Sequence, residues 1–465
     1  MLAPGVAAGH PATAAAGLAI LERGGSAADA AVAAALASCV AETVMTGLLG
    51  GGHAIHHDGA TGEVSALDCF VAVPGLGAEP RETELLRLEV PFGAELVHYA
   101  VGPASCGVPG LPAGLGALWE RHGRLPWVEL LAPALALARD GVELPPAHAA
   151  CLEMLEPVMT MDAGARIYSP GGRLLRAGDL LLQPGLVAAL ELLADEGAES
   201  AYRGALGARL LELSDERGGL LTRDDLDAYR AAWVEPFEVP FAGTRFLTRG
   251  DLSGVPGALA TLRPLRGLAP ADRVVALADA LHPSPPGSGH TTNLVAADER
   301  GDVCVLTSSL GLGSGDFLPG LDLHLNSMLG EVDLLRGPLE PGARMGSMMA
   351  PSLALDAEGA PVLALGAAGG TRLRTALVGV AAGVLDEGFD PADAIERPRF
   401  HVAGRVVNAE PGVDEEGLGL LAAHGWEIRR WPGRHHYFGG VSAIGRSGGA
   451  GDPRRSGSAL SARRG

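Results

Sequence analysis

No lysine occurs among the 465 residues, so arginine carries all side-chain positive charge other than that of histidine. This excludes a Schiff-base or general-base lysine and the phosphate-cradling loop that ends in Lys-Ser/Thr. Aromatic residues are scarce at 4%, which leaves leucine, valine and alanine to fill the core. Cys39, Cys69, Cys106, Cys151 and Cys304 are scattered, odd in number and nowhere spaced as CxxC. They read as buried thiols in a reducing compartment, not as a disulfide framework or a zinc site. Positive charge is short overall. A net charge of −20 disfavours nucleic acid as a partner. No run of about 18 uncharged apolar residues is present, so no membrane span is expected. The opening MLAPGVAAGHP lacks a basic stretch and is broken at His10-Pro11, and a cytoplasmic location is the expectation.

With 47% hydrophobic and 19% charged residues, the chain has a globular composition. Its length calls for two or more domains or one large layered fold. Ala12 to Val40 shows helical periodicity broken at Gly24-Gly25, predicting two helices, the second capped by Ser26 with Asp29 three residues on. A glycine cluster follows at 47–52. Ala54 to Cys69 reads as a hairpin turning near Asp58-Gly59 and Gly62. Helical stretches continue to about Ser214, and Trp127 and Trp233 read as core anchors for helices. A short helix is predicted near Ala271 to Leu281. Pro283, Pro285 and Pro286 with Gly and Ser then make the clearest linker, ending at His290. Beyond it, TTNLVAADERGDVCVLTSS and LALDAEGAPVLALG read as hairpins, with a helix at about Arg372 to Leu385. The run from Arg446, including Asp452-Pro453-Arg454-Arg455, reads as a loose solvated terminus. Helix-rich before the linker and hairpin-rich after it, the chain suits an α+β layered fold.

A strand that opens with Thr291 directly after a Pro/Gly/Ser loop has two readings. It is ordinary β-branched strand chemistry. It is also the pattern of a nucleophile released by cleavage. The new α-amine, with a reference pKa of about 7.7–8.0, serves as base for its own hydroxyl, without metal or cofactor. Such chemistry needs backbone N–H donors for an oxyanion, and Gly369-Gly370 in GAAGGTRLRTAL could supply them. His53, His56 and His57 lack the carboxylate or cysteine partners of a metal set, and no metal or cofactor is expected. His435-His436 reads as polar loop or strand edge. Gly311, Gly313 and Gly315 do not open a helix after a strand and read as turns.

The motifs AAGHPATAAAGLAILERGGSAADAAVAAALA, GLLGGG, GVPGLPAGLGALWERHGRLPW, GGLLTRDDLDAYRAAWVEP, TTNLVAADERGDVCVLTSS, SMMAPSLAL, GAAGGTRLRTAL, ERPRFH and GAGDPRR occur in this order over nearly the whole chain. In that series the sequence resembles the gamma-glutamyltranspeptidases, as a divergent member. The resemblance implies a four-layered αββα sandwich of the N-terminal-nucleophile hydrolase type. It also implies self-cleavage between His290 and Thr291 into segments 1–290 and 291–465 that stay together as large and small subunits. A homodimer of such pairs is compatible with it. By the same resemblance Thr291 is the nucleophile, Ser309 the supporting hydroxyl, and Gly369 and Gly370 the oxyanion glycines. Glu331 falls near the acid that holds a substrate α-amino group, and Ser347 on one of two serines at the α-carboxylate.

Several positions depart from the family pattern. Phe70 stands where the family has the arginine that grips that carboxylate. Met348 replaces the second serine, Gly311 an asparagine and Asn293 a histidine. A guanidinium–carboxylate contact is hard to replace. The expected substrate is therefore a small-molecule amide, glutathione-like or with another acyl group, and restoring Arg at position 70 is expected to improve γ-glutamyl turnover. The alternatives are an acylase for a non-glutamyl side-chain amide, or an inactive, unprocessed homologue that only binds a metabolite.

Overall fold

Ser26 and Asp29 make the reciprocal cap that the sequence predicts. The Ser26 hydroxyl accepts the Asp29 N–H at 3.0 Å, and an Asp29 carboxylate oxygen accepts the Ser26 N–H at 2.9 Å. The same oxygen also accepts the Arg124 and Leu125 N–H groups, so this cap ties the helix to a distant turn. The capped helix, Ala27–Ala41, is buried along its whole length. Its alanines let it lie close against its neighbours, which explains a core built with few aromatics. The computed structural model describes residues 1–79, 82–92, 95–250, 252–283, 291–335 and 337–462. The linker beyond Pro283, and with it His290, lies outside the described residues.

Two antiparallel sheets form the centre. The first has seven strands in the spatial order Ser458–Ser461, Gly5–Ala8, Thr292–Ala297, Val303–Ser309, Gly51–His57, Val64–Cys69 and Ala232–Val234. The second has six, in the order Gly449–Gly451, Gly440–Gly445, Pro361–Ala368, Ser352–Leu355, Thr244–Thr248 and Phe237–Phe241. Val295, Val305 and Ile55 from one sheet meet Leu353, Ala364 and Ile444 from the other in an apolar layer between them. The opposite face of the first sheet, through Leu294, Leu306 and Leu67, packs on the helices Ala27–Ala41, Leu111–His122 and Trp127–Asp140. The opposite face of the second, through Leu363, Leu365 and Val441, packs on Arg372–Leu385 and Pro270–Leu281. Helices, sheet, sheet, helices is the expected αββα sandwich. Each sheet combines strands from both sides of residue 290, so neither segment has a complete sheet of its own.

Three expectations require correction. The run after Arg446 is ordered. Ser458–Ser461 pairs with Gly5–Ala8 in the first sheet, and Gly449–Gly451 edges the second. Asp452-Pro453-Arg454-Arg455 is not a solvated loop, since all but Pro453 are buried. Arg454 pairs with Glu410 and Asp452, and Arg399 with Asp452 at 2.6 Å. Glu410 and Arg399 lie more than 40 positions from their partners in this run, so local composition carries no trace of these two pairs. Trp233 lies on an edge strand and is half-buried, whereas Trp127 is in the core.

Candidate active site

The register across the first sheet sets the site. Thr292 pairs with Ser308, and Ser308 with Gly52; Asn293 pairs with Thr307, and Thr307 with His53. Alternation sends these two rows to opposite faces. The Thr292 hydroxyl donates to Glu42 at the end of the second helix, and the Ser308 hydroxyl meets that of Thr46 at 2.9 Å, so this row faces the helices. The next row faces the other sheet. The Asn293 carbonyl accepts the Ser442 hydroxyl, and its side chain lies so close to Gly366 that a Cβ there would meet it at 1.8 Å. Ser309 lies one residue beyond the Thr292–Ser308 pair and so shares the Asn293 face, while Thr291 immediately precedes the strand and lines a small cavity with Glu42 and Asn293. Thr291 and Ser309 are both buried.

Gly369 and Gly370 join the strand Pro361–Ala368 to the helix Arg372–Leu385, with φ of 131° and 57°. A Cβ on Gly369 would stand 2.9 Å from Gly439 Cα, so the turn needs glycine for both conformation and space. The first two helical amides, of Arg372 and Leu373, donate to the Gly369 and Gly370 carbonyls at 3.1 Å each, and the helix dipole favours negative charge at this end. Ala368, the residue before the turn, lines the same small cavity as Thr291. The structure thus brings Thr291, Ser309 and the glycine turn to one end of the sandwich.

Ser309, Gly311 and Glu331 form a second group. The Gly311 N–H donates to the Ser309 hydroxyl at 3.0 Å. A Cβ on Gly311 would meet the Ser327 hydroxyl at 2.7 Å and Glu331 Oε1 at 2.8 Å. No space is left here for an asparagine side chain without rearrangement. Glu331 is buried, with Oε1 unpartnered, and burial followed by the nearby Asp333 pushes its carboxyl up to about 8. Ser347 is buried beside Met348, its hydroxyl accepting the Met349 N–H. Phe70 is 1% exposed and shares one apolar cluster with Met348, Met328 and Leu329. Its carbonyl accepts the Tyr229 hydroxyl at 2.6 Å and an Arg344 N–H at 2.8 Å. Where the resemblance calls for a cationic side chain, the position holds a buried apolar one.

His53 points to Asp68 and Arg249, and His56 stacks on His122 with centroids 3.7 Å apart. Burial, then the Arg249 and Arg344 guanidinium groups, hold His53 well below its ordinary pKa. No cluster of metal-ligating side chains occurs among the described residues. No helix among them is long and apolar enough to cross a membrane.

The sequence matches the profile of the gamma-glutamyltranspeptidase family over residues 13–284 and 272–462. The chain belongs to the gamma-glutamyltranspeptidase family. The acylase ACY 1 proenzyme of Pseudomonas sp. (strain SE83) is 30% identical, across 94% of this chain and 89% of that one. The glutathione hydrolase proenzyme of Bacillus subtilis (strain 168) is 24% identical across 92% and 85%. The solved cephalosporin acylase from Bacillus halodurans superposes with a TM-score of 0.83 at 24% identity, covering 100% of this chain and 97% of the other. That likeness shows the fold, the four-layered sandwich described above.

For this gamma-glutamyltranspeptidase-family chain, sequence reading passed over two buried residues beside Thr291: Glu42 and Arg455, which line the same cavity. Glu42 did leave a signal, because it is the only Asp, Glu, Arg or Lys between Asp29 and Asp58. A lone carboxylate in an apolar stretch is costly to bury and calls for a reason. Arg455 was hidden in a run whose composition imitates a loose terminus.

Proposed function

We propose that this protein is a self-processed amide hydrolase that works through an acyl-enzyme on Thr291. The supporting observation is the convergence of Thr291, Ser309 and the Gly369–Gly370 turn at one end of the sandwich. In this reading the chain is cut between His290 and Thr291, giving large (1–290) and small (291–465) subunits. The freed amine takes the Thr291 hydroxyl proton as the oxygen attacks the substrate carbonyl. The glycine-turn amides hold the oxyanion, and Ser309 steadies the nucleophile. The protonated amine then passes its proton to the leaving amine. Water, or a competing amine, releases the acyl group.

The acyl arm in this reading is less polar than a γ-glutamyl group. Phe70 and Met348 in one apolar cluster favour it, and acylases are among the relatives named above. The γ-glutamyl reading draws on Ser347 and on the unpartnered Glu331 oxygen. Initial rates on a panel of acyl anilides discriminate: apolar acyl groups should show the higher kcat/KM, and γ-glutamyl as the best substrate would reverse the assignment. Thr291→Ala should abolish turnover of every member, and retained turnover would refute the mechanism.

A further inference from the structure

Self-cleavage has a chemical requirement that mature turnover lacks. Before the cut, the nitrogen of Thr291 is an amide and cannot serve as base, so the proton of the attacking hydroxyl must go elsewhere. Only the precursor needs this second acceptor.

The cavity at Thr291 holds a carboxylate suited to the task. It has room for about one water molecule and reaches round the start of the strand. Glu42 and His148 line it from the helical side, Ala368 and Ser442 from the second sheet, and Arg455 from the terminal turn. One Glu42 oxygen accepts the Thr13 hydroxyl at 2.6 Å, and the other accepts the hydroxyl of Thr292, the neighbour of Thr291. No ion-pair contact to Glu42 is formed among the described residues. Arg455 is the cation acting on it, and its Nε and Nη2 are buried without partners while Nη1 meets Met45 Sδ at 3.2 Å. The pairs Arg399–Asp452 and Arg454–Glu410 fix the turn that carries Arg455.

We propose that Glu42 is the positioning and proton-holding residue for self-cleavage, acting on the Thr291 hydroxyl through one water in this cavity. The inference rests on the self-cleavage reading above. The Thr291 oxygen bonds to the His290 carbonyl carbon, and its proton passes through the water to the Glu42 carboxylate. The carbon–nitrogen bond between His290 and Thr291 then breaks, and Glu42 returns the proton to the departing nitrogen. The product is an ester with a free amine, which a second water hydrolyses. Glu42 ends as it began.

Burial raises the Glu42 carboxyl to about 7, against the pull of Thr13, Thr292 and Arg455. The histidines and the thiol around it are silent near neutrality. Burial lowers His10 to about 4 and His148 to about 3, and raises the Cys39 thiol to about 12. Asp452 is held in ion pairs with Arg399 and Arg454.

The test follows cleavage of the full chain made by cell-free translation, on denaturing gels, across pH 5.5–8.5. The wild-type rate should rise with pH and level off above the Glu42 ionisation. Glu42→Gln should slow cleavage roughly 10²-fold or more and flatten the profile. Thr13→Val, which removes a donor to the carboxylate without touching the strand, should move the midpoint up by roughly one pH unit. Wild-type rate and profile in Glu42→Gln would overturn the inference. If that variant does not fold by circular dichroism, an unmoved midpoint in Thr13→Val would overturn it instead. Wild-type protein that stays whole at every pH would defeat the self-cleavage reading itself, and this inference with it.

Discussion

Phe70 shows how a single residue changes what the family pattern predicts. Read from sequence alone, Phe70→Arg restores a missing grip. In the fold the side chain is 1% exposed, and the carboxylate that accepts the Phe70 N–H, Asp68, already faces Arg249 and Arg344. A third guanidinium there is buried without a free partner. We therefore expect Phe70→Arg to lower the melting temperature with no gain in γ-glutamyl turnover; thermal melts and initial rates check both. Glu331 gives a pH signature. Its carboxyl sits at about 8 in the fold against 4.5 for the free group. The folded chain thus holds a proton that the unfolded chain has released, so this group's stabilisation is full below pH 4.5 and lost as pH rises to about 8. Melting temperature should fall across that window, and Glu331→Gln should flatten the fall. An equally steep fall in the variant would reject the assignment.

At the scale of elements, most of the site's frame was legible. The hairpins at 51–69 and 292–309 and the helix Arg372–Leu385 follow from alternation, turn residues and period, because each is stabilised by its own local chemistry. The capping box at Ser26 was legible for the same reason. Asp29→Ala should cost about 2 kcal/mol or more, since it removes a cap and two further N–H contacts; denaturant melts measure it. The strand–turn–helix at Gly369 was legible as a glycine pair, but not its crowding against Gly439. Gly369→Ala places a methyl in that contact at a strained φ. Activity should fall roughly 10²-fold or more if oxyanion donors are displaced, with a smaller loss of stability, read from kcat beside a melt. The final strand stayed hidden because its partner, Gly5–Ala8, and the residues that fix the turn before it, Glu410 and Arg399, are remote in sequence. Glu42 gained meaning only when the fold placed Thr13 and Thr292 around it.

Over the whole molecule, the decisive feature is interleaving. Strands Thr292–Ala297 and Val303–Ser309 sit between Gly5–Ala8 and Gly51–His57, and the second sheet also mixes the two segments. A chain cut before Thr291 would keep every one of these pairings, so its two parts should travel together on a sizing column in native buffer and separate only in denaturant. The cut is the assumption on which the freed amine, the acyl-enzyme and the part assigned to Glu42 all depend. The intact mass of the purified protein under denaturing conditions, with the N-terminal sequence of the smaller component, tests it most directly. The account predicts two components, the smaller beginning Thr291-Thr292-Asn293. A single uncut chain after prolonged incubation, or a small component beginning elsewhere, would contradict it.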